Sequence, residues 1–271
     1  MRISCYYYRY LILILISILS PGLLLAQESA EDLAKKLANP VAALISVPFQ
    51  GNYDGEIGPD EDGEKWTLNI QPVIPISLTE DWNLISRTIL PVVAQEDIFA
   101  GAGSQSGIGD IVQSIFFSPV QPTSTGWIWG AGPVILLPTG SDELLSAEKW
   151  GLGPTAVGLR QQGPWTYGAL VNHIWSIAGD DDRSDVSATF LQPFLSYTTP
   201  TAWTCTINSE STYDWENDQW TVPINLIVSK VIKMGSQLIS VGAGVRYYVE
   251  SPDSGPEGWG GRLMITLLFP K

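Results

Sequence analysis

Residues 65–78 read KWTLNIQPVIPISL. In an extended chain successive side chains alternate between faces. Trp66, Leu68, Ile70, Pro72, Ile74, Ile76 and Leu78 then project one way, and Thr67, Asn69, Gln71 and Ser77 the other. A soluble sandwich would bury the apolar row in a core, whereas a membrane barrel would turn it to lipid and keep the polar row around a wet lumen. Alternation alone leaves both readings open. The remainder of the chain has to separate them.

From Asn39 onward the sequence repeats one theme, an extended run followed alternately by a Gly, Asp and Ser-rich loop and by a tight turn. The runs fall near 40–53, 65–78, 82–93, 107–119, 127–138, 150–162, 165–177, 187–199, 202–213, 219–231, 237–249 and 258–270. An even count returns both chain ends to the same side, as bacterial outer-membrane barrels require. Several runs repeat the two-faced pattern. Ile239, Val241, Ala243, Val245, Tyr247 and Val249 oppose Ser240, Gly242, Gly244 and Arg246, and Thr204, Thr206, Asn208, Glu210 and Thr212 form an almost wholly polar row. Runs 107–119, 127–138 and 150–162 are ambiguous in facing.

Tryptophan and charge placement favour the lipid-facing reading. Trp66, Trp82, Trp127, Trp150, Trp165, Trp203, Trp220 and Trp259 each sit at the start of a run, where a chain would enter the bilayer interface that amphipathic indoles prefer. Segments 54–64, 95–106, 139–149, 178–186, 214–218 and 250–258, all on one side of such a barrel, hold 21 of the 28 acids. The opposite turns, such as 79–81, 161–164 and 199–201, are short. Long loops on one side are the barrel asymmetry. Prolines argue the other way: Pro48, Pro72, Pro75, Pro91, Pro133, Pro154, Pro193 and Pro223 fall inside runs, and each lacks the N–H of a closed ladder. Each therefore needs a bulge or a shorter strand than the pattern suggests.

The start of the chain reads as a secretory leader. Arg2 and Arg9 precede the apolar LILILISILS, and Ala26 offers a small residue for cleavage before Gln27. Cys5 would leave with residues 1–26, so Cys205 alone remains and an internal disulfide is excluded. Loss of the two arginines also brings the net charge to −16, which is the wrong sign for a nucleic-acid partner. Segment 27–39, QESAEDLAKKLAN, places Ala30, Leu33, Ala34 and Leu37 at helical spacing, with acids first and lysines later. It reads as a short amphipathic helix ahead of the barrel, either a frayed leader or a periplasmic plug.

NPVAALISVPFQGNYD at 39–54, GIGD at 107–110, GAGPVILLPTG at 130–140 and KWGLGP at 149–154 together resemble the outer-membrane proteins grouped under the meta-pathway of phenol degradation, often labelled transporters. The resemblance runs from about Asn39 to the C-terminus. It implies a Gram-negative outer-membrane barrel that takes up small, in part aromatic, compounds, and it brings no catalytic residues.

Readings that would need chemistry are weaker. His173, the sole histidine, shares a face with Trp165, Tyr167, Val171 and Trp175, and position 175 lacks the serine that a lipid-modifying barrel enzyme would suggest. An EF-hand beginning at Asp60 would need glycine at position 65, which is Lys65. DEDGE at 60–64 and DDDRSD at 180–185 read as a solvated acidic rim, with loose divalent bridging to lipopolysaccharide as the alternative. GAGSQSGIGD lacks the Gly-Lys-Ser/Thr of a phosphate loop.

The expected fold is therefore an all-β antiparallel barrel of about twelve strands over residues 40–271. Arg87, Asp110, Glu210, Arg246 and Arg262 would project inward as lumen charges, and Phe190 and Phe194 as inward apolar contacts. The expected job is passive passage of a small solute, with outer-membrane lipid and lipopolysaccharide as surroundings and no metal or cofactor. Alternatives are a structural or surface-binding barrel with an occluded lumen, and a barrel enzyme. The sequence leaves the oligomeric state open.

Overall fold

The computed structural model of the protein describes residues 29–270; the expected leader, residues 1–26, lies outside the described residues. A helix α1 (Ala30–Leu37) precedes β1 (Ile45–Ile57), β2 (Gly63–Ile70), β3 (Val73–Ser77), β4 (Trp82–Glu96), β5 (Ser104–Ile108), β6 (Ile111–Pro119) and β7 (Trp127–Leu137). Then follow β8 (Lys149–Gln162), β9 (Trp165–Gly179), β10 (Ser187–Thr198), β11 (Trp203–Ser209), β12 (Ser211–Asp214), β13 (Gln219–Met234), β14 (Gln237–Glu250) and β15 (Trp259–Phe269). Three pairs of segments are each one wall strand broken once: β2 with β3 at Gln71–Pro72, β5 with β6 at Gly109–Asp110, and β11 with β12 at Glu210. Twelve antiparallel strands result, and β1 closes on β15 in register from Ile45 opposite Phe269 to Tyr53 opposite Gly261. The first strand begins five residues later than the pattern suggests. Asn39 caps a turn there, accepting from Val41 N at 3.0 Å and Ala42 N at 3.1 Å, and carries the chain from α1 into the wall.

The breaks coincide with prolines, which explains how so many fit. Pro72 occupies the first break. Pro91 faces the second, its carbonyl accepting from Gly109 N at 2.9 Å. Pro223 lies at a bulge in β13 opposite the third, and its carbonyl accepts from Ser209 Oγ at 2.8 Å. Pro133 and Pro154 oppose one another, and the ladders on either side skip them. Gly132 and Gly153 let the neighbouring strands close in; a Cβ at either would run into the carbonyl of Ile115 or His173.

Side-chain facing settles the opening question. Trp66, Leu68, Ile74, Ile76 and Leu78 are exposed, while Gln71 is buried. On β13, Leu226 is 49% exposed and its neighbour Asn225 is 0%; on β15, Leu263 is 69% exposed and Arg262 is 3%. Apolar rows face outward and polar rows face in, which is the inverse of a soluble core. All eight tryptophans named above are exposed and form two girdles. Trp82, Trp127, Trp165 and Trp203 follow the short turns. Trp66, Trp150, Trp220 and Trp259 lie by the long loops, where Tyr53 contacts Trp66 and Tyr247 contacts Trp259, with ring centroids 4.7 and 5.0 Å apart. Cationic side chains rest on two rings of the first girdle, Lys230 on Trp203 and Arg160 on Trp127.

The three ambiguous runs are apolar on both faces for a structural reason. Phe116, Val134, Val157 and Leu159 point inward, and Phe116, Val157 and Leu159 pack with Val41, Ile85 and Leu170 in an apolar cluster in the short-turn half of the lumen. Toward the long loops the inside is polar, with Asn52, Asp54, Gln95, Asn225, Arg246 and Arg262 buried. The inversion predicts a position-dependent response to charge: Leu226→Arg at the lipid face should cost about 2–4 kcal/mol. Ser229→Arg on the lumen face should cost much less. Urea unfolding from lipid vesicles would measure both, and equal costs would contradict the assigned facing.

Candidate functional site: a charged lumen above a docked helix

A chain of ion pairs crosses the inner wall from β1 through β15, β14 and β13 to the β11–β12 break. Arg262 forks onto Glu210, donating from Nη1 to Oε1 at 2.8 Å and from Nη2 to Oε2 at 2.7 Å, and its Nε donates to Asn52 Oδ1 at 2.8 Å. Arg246 donates to Asn225 Oδ1 at 2.9 Å, to Asp54 Oδ1 at 3.0 Å and to Glu210 Oε2 at 3.1 Å. Tyr248 adds a hydroxyl to Asp54 at 3.0 Å. The network forms because even-numbered positions of β1, β14 and β15 share the inward face, and because the strand break lets Glu210 turn into the bore. Bidentate arginine–carboxylate geometry is the strong form of this contact.

Arg87 sits on β4, on the far side of the barrel. It donates from Nη2 to Gln71 Oε1 at 3.1 Å, and it lies within electrostatic range of Glu210 across the lumen. Lys65, paired in register with inward Asp54, adds a further cation. Four cations thus face two carboxylates in this part of the lumen among the described residues. The site is net positive inside a strongly acidic protein.

Below this layer the helix closes the bore. Ser29 caps α1, accepting from Asp32 N at 3.0 Å, and Glu31 pairs with Lys35 at 2.8 Å. Leu33 and Ala34, at 0% and 1% exposure, pack on the inward side chains Leu44, Val231 and Leu268 and on Ala202 in the 199–202 turn. Gln161 Nε2 donates to Lys35 O at 2.8 Å and fastens the helix to another turn. Over the described residues of segment 27–39, the helix docks on the inner wall. Between helix and arginines lies a cavity of about 240 Å³, bounded by Ala34 and Leu37 below, Arg87, Glu210 and Arg262 above, and Val73, Phe194, Ile227 and Met264 at the sides.

Of the residues singled out in the sequence, Arg87, Glu210, Arg262 and Phe194 line this cavity, and Arg246 braces it from behind. Phe190 faces in and, like Phe194, packs against the apolar cluster, but it does not border the cavity. Asp110 is elsewhere. Its carboxylate accepts from Thr139 N, Gly140 N, Ser146 Oγ and Ala147 N at 2.7–3.0 Å and pins the 138–148 loop. His173 faces outward, its Nδ1 2.7 Å from Thr189 Oγ1 and its ring 4.0 Å from that of Trp175. In the loops, Arg183 holds Glu148 at 3.5 Å, and Lys149 holds Asp185 at 3.2 Å. That lysine keeps the Asp185 carboxyl below its ordinary 3.8, so this latch is intact above pH 3.8 and is lost as pH falls through the depressed value. No group of three or more His, Cys, Asp or Glu suited to a metal occurs among the described residues.

Asp54 and Asn52 escaped the sequence reading, and Asn225 was read only as a member of a polar row. Asp54 lies one residue beyond the expected end of the first run, yet its even parity with Gln50 and Asn52 was a usable signal.

No known family's sequence profile matches this chain, and no curated protein matches it in sequence. Solved structures do. An outer membrane channel from Pseudomonas putida F1 superposes with a TM-score of 0.66 at 15% identity, covering 93% of this chain and 100% of that one. The fold is that of an outer-membrane β-barrel. The NanC porin superposes with a TM-score of 0.50 at 9% identity, covering 83% of this chain and all of its own.

The lumen network carries a stability prediction. Glu210→Gln strips two buried arginines of a shared carboxylate, and breaking such a pair costs about 3–5 kcal/mol. The double change Glu210→Gln with Arg262→Met should cost less than the single one. Urea unfolding would show this; a single-variant cost below about 1 kcal/mol would contradict the assigned network.

Proposed function

We propose that this chain is an outer-membrane channel for passive passage of small molecules, set in the outer membrane of a Gram-negative cell with lipid and lipopolysaccharide around it. The reading rests on one observation, a closed barrel with a lipid-facing exterior that encloses a polar cavity lined by arginines. The likeness to channel and porin barrels supports it at the level of fold. Placement among the outer-membrane proteins of the meta-pathway of phenol degradation rests on the sequence resemblance. Small aromatic solutes are the substrate class that the resemblance implies.

The proposed filter is electrostatic. Acidic long loops lower the local anion concentration at the outer mouth, and the arginine layer holds solutes briefly inside. The helix sets the width at the periplasmic end. A second reading, a barrel with an occluded lumen that serves structure or surface binding, is favoured by the burial of Leu33 and Ala34 within the bore. The enzymatic reading fits less well, since His173 is held on the outer face against Thr189 and Trp175. Single-channel recording and liposome swelling separate the first two. The full chain should pass small solutes with low conductance, and deletion of residues 29–39 should raise conductance severalfold. A barrel silent in both forms would contradict the channel and leave the occluded reading.

A further inference from the structure

We propose that the mid-lumen cavity is a binding site for small organic monoanions with an apolar body, the carboxylate seated on Arg87. The inference deepens the channel reading and rests on it only for the route by which a ligand arrives.

The three arginines of the layer are unequal. Arg262 and Arg246 spend their donors on Glu210, Asp54, Asn52 and Asn225. Arg87 donates once, to Gln71, among the described residues, and it borders the cavity. A planar guanidinium offers five N–H donors in a fork that matches a carboxylate. Glu210 also borders the cavity, but the forked pair with Arg262 and the bond from Arg246 neutralise it. The surplus of positive charge therefore falls toward Arg87. An anion there relieves that imbalance.

The body of the ligand follows from the walls. Val73, Phe194, Ile227 and Met264 present apolar surface beside the arginine, and Leu37 adds to it from the helix, with the hydroxyls and amides of Gln192, Ser196, Thr206 and Ser229 between these patches. An inorganic ion would leave that surface wet, whereas an apolar ring or branched chain covers it. The cavity, about 240 Å³, has room for a compact acid. The rim favours single charge, because repulsion from the acidic loops scales with ligand charge and fades over about 8 Å at physiological salt. A monoanion crosses it with the least penalty.

Isothermal calorimetry on the full barrel in detergent tests the site, with cyclohexanecarboxylate as probe and cyclohexylmethanol and acetate as controls. The acid should bind at least tenfold more tightly than either control. Arg87→Gln should lose at least tenfold for the acid and leave the alcohol unchanged, while Arg87→Lys should retain part of the acid preference, which excludes simple misfolding. Equal affinity for acid and alcohol, or full acid affinity in Arg87→Gln, would overturn the proposal. Acid-selective binding by a barrel that shows no conductance would keep the site and refute the channel. Conductance without acid preference would do the reverse.

Discussion

Backbone hydrogen bonding under lipid is the constraint on which the rest depends. No water in a bilayer core can satisfy a stray N–H or C=O, so a spanning sheet must close on itself. Here the closure is the β1–β15 seam. The ladder is nonetheless broken three times, and each break is paired with a proline that could not have donated. The same breaks place Gln71, Asp110 and Glu210 off the regular pleat. Gln71 orients Arg87, Asp110 pins the longest loop, and Glu210 unites two arginines. Defects in the wall have become the points at which polar side chains are aimed.

The lumen is divided along its axis. Its short-turn half holds two apolar clusters, Phe116, Leu159, Ile85 and Leu170 on one side and the helix residues Leu33 and Ala34 with their contacts on the other, with buried hydroxyls of Thr198, Thr204, Ser240 and Thr266 among them. Toward the long loops it is charged. Buried ions are costly unless their partners are close and well directed, and the forked Arg262–Glu210 contact meets that condition. Arg87 meets it only in part. The cavity lies between the arginine layer and the helix, which gives it a cationic end, apolar patches and polar side chains between them.

Much of this was legible in the sequence. Period-two alternation, tryptophans at run starts and acids gathered in alternate loops sufficed for the barrel, its strand count and the outward apolar face. Where the inward row is also apolar, as at Phe116 beside Phe117 and at Val157 with Leu159, alternation vanishes and facing could not be read. The inward set Arg87, Glu210, Arg246 and Arg262 followed from parity alone. Which of them touch did not, because contact depends on stagger between strands distant in sequence, such as Asp54 with Arg246. Asp110 differs for a related reason: its carboxylate, beside the break, holds the 138–148 loop, a partner that a strand row does not announce. The partner surface of α1 was equally hidden: the sequence left a frayed leader and a plug both open, since an amphipathic helix does not declare what it packs on.

The direct test of the inverted architecture is an alternating cysteine scan along β13, positions 222–231, in a chain with Cys205→Ser, each cysteine carrying a fluorophore in lipid nanodiscs. Leu226 and Val228 positions should be quenched by nitroxide-labelled lipid and shielded from iodide, while positions 225, 227 and 229 should resist the lipid quencher. Quenching by lipid at every position, or at the odd ones, would contradict a barrel whose apolar side chains face the membrane.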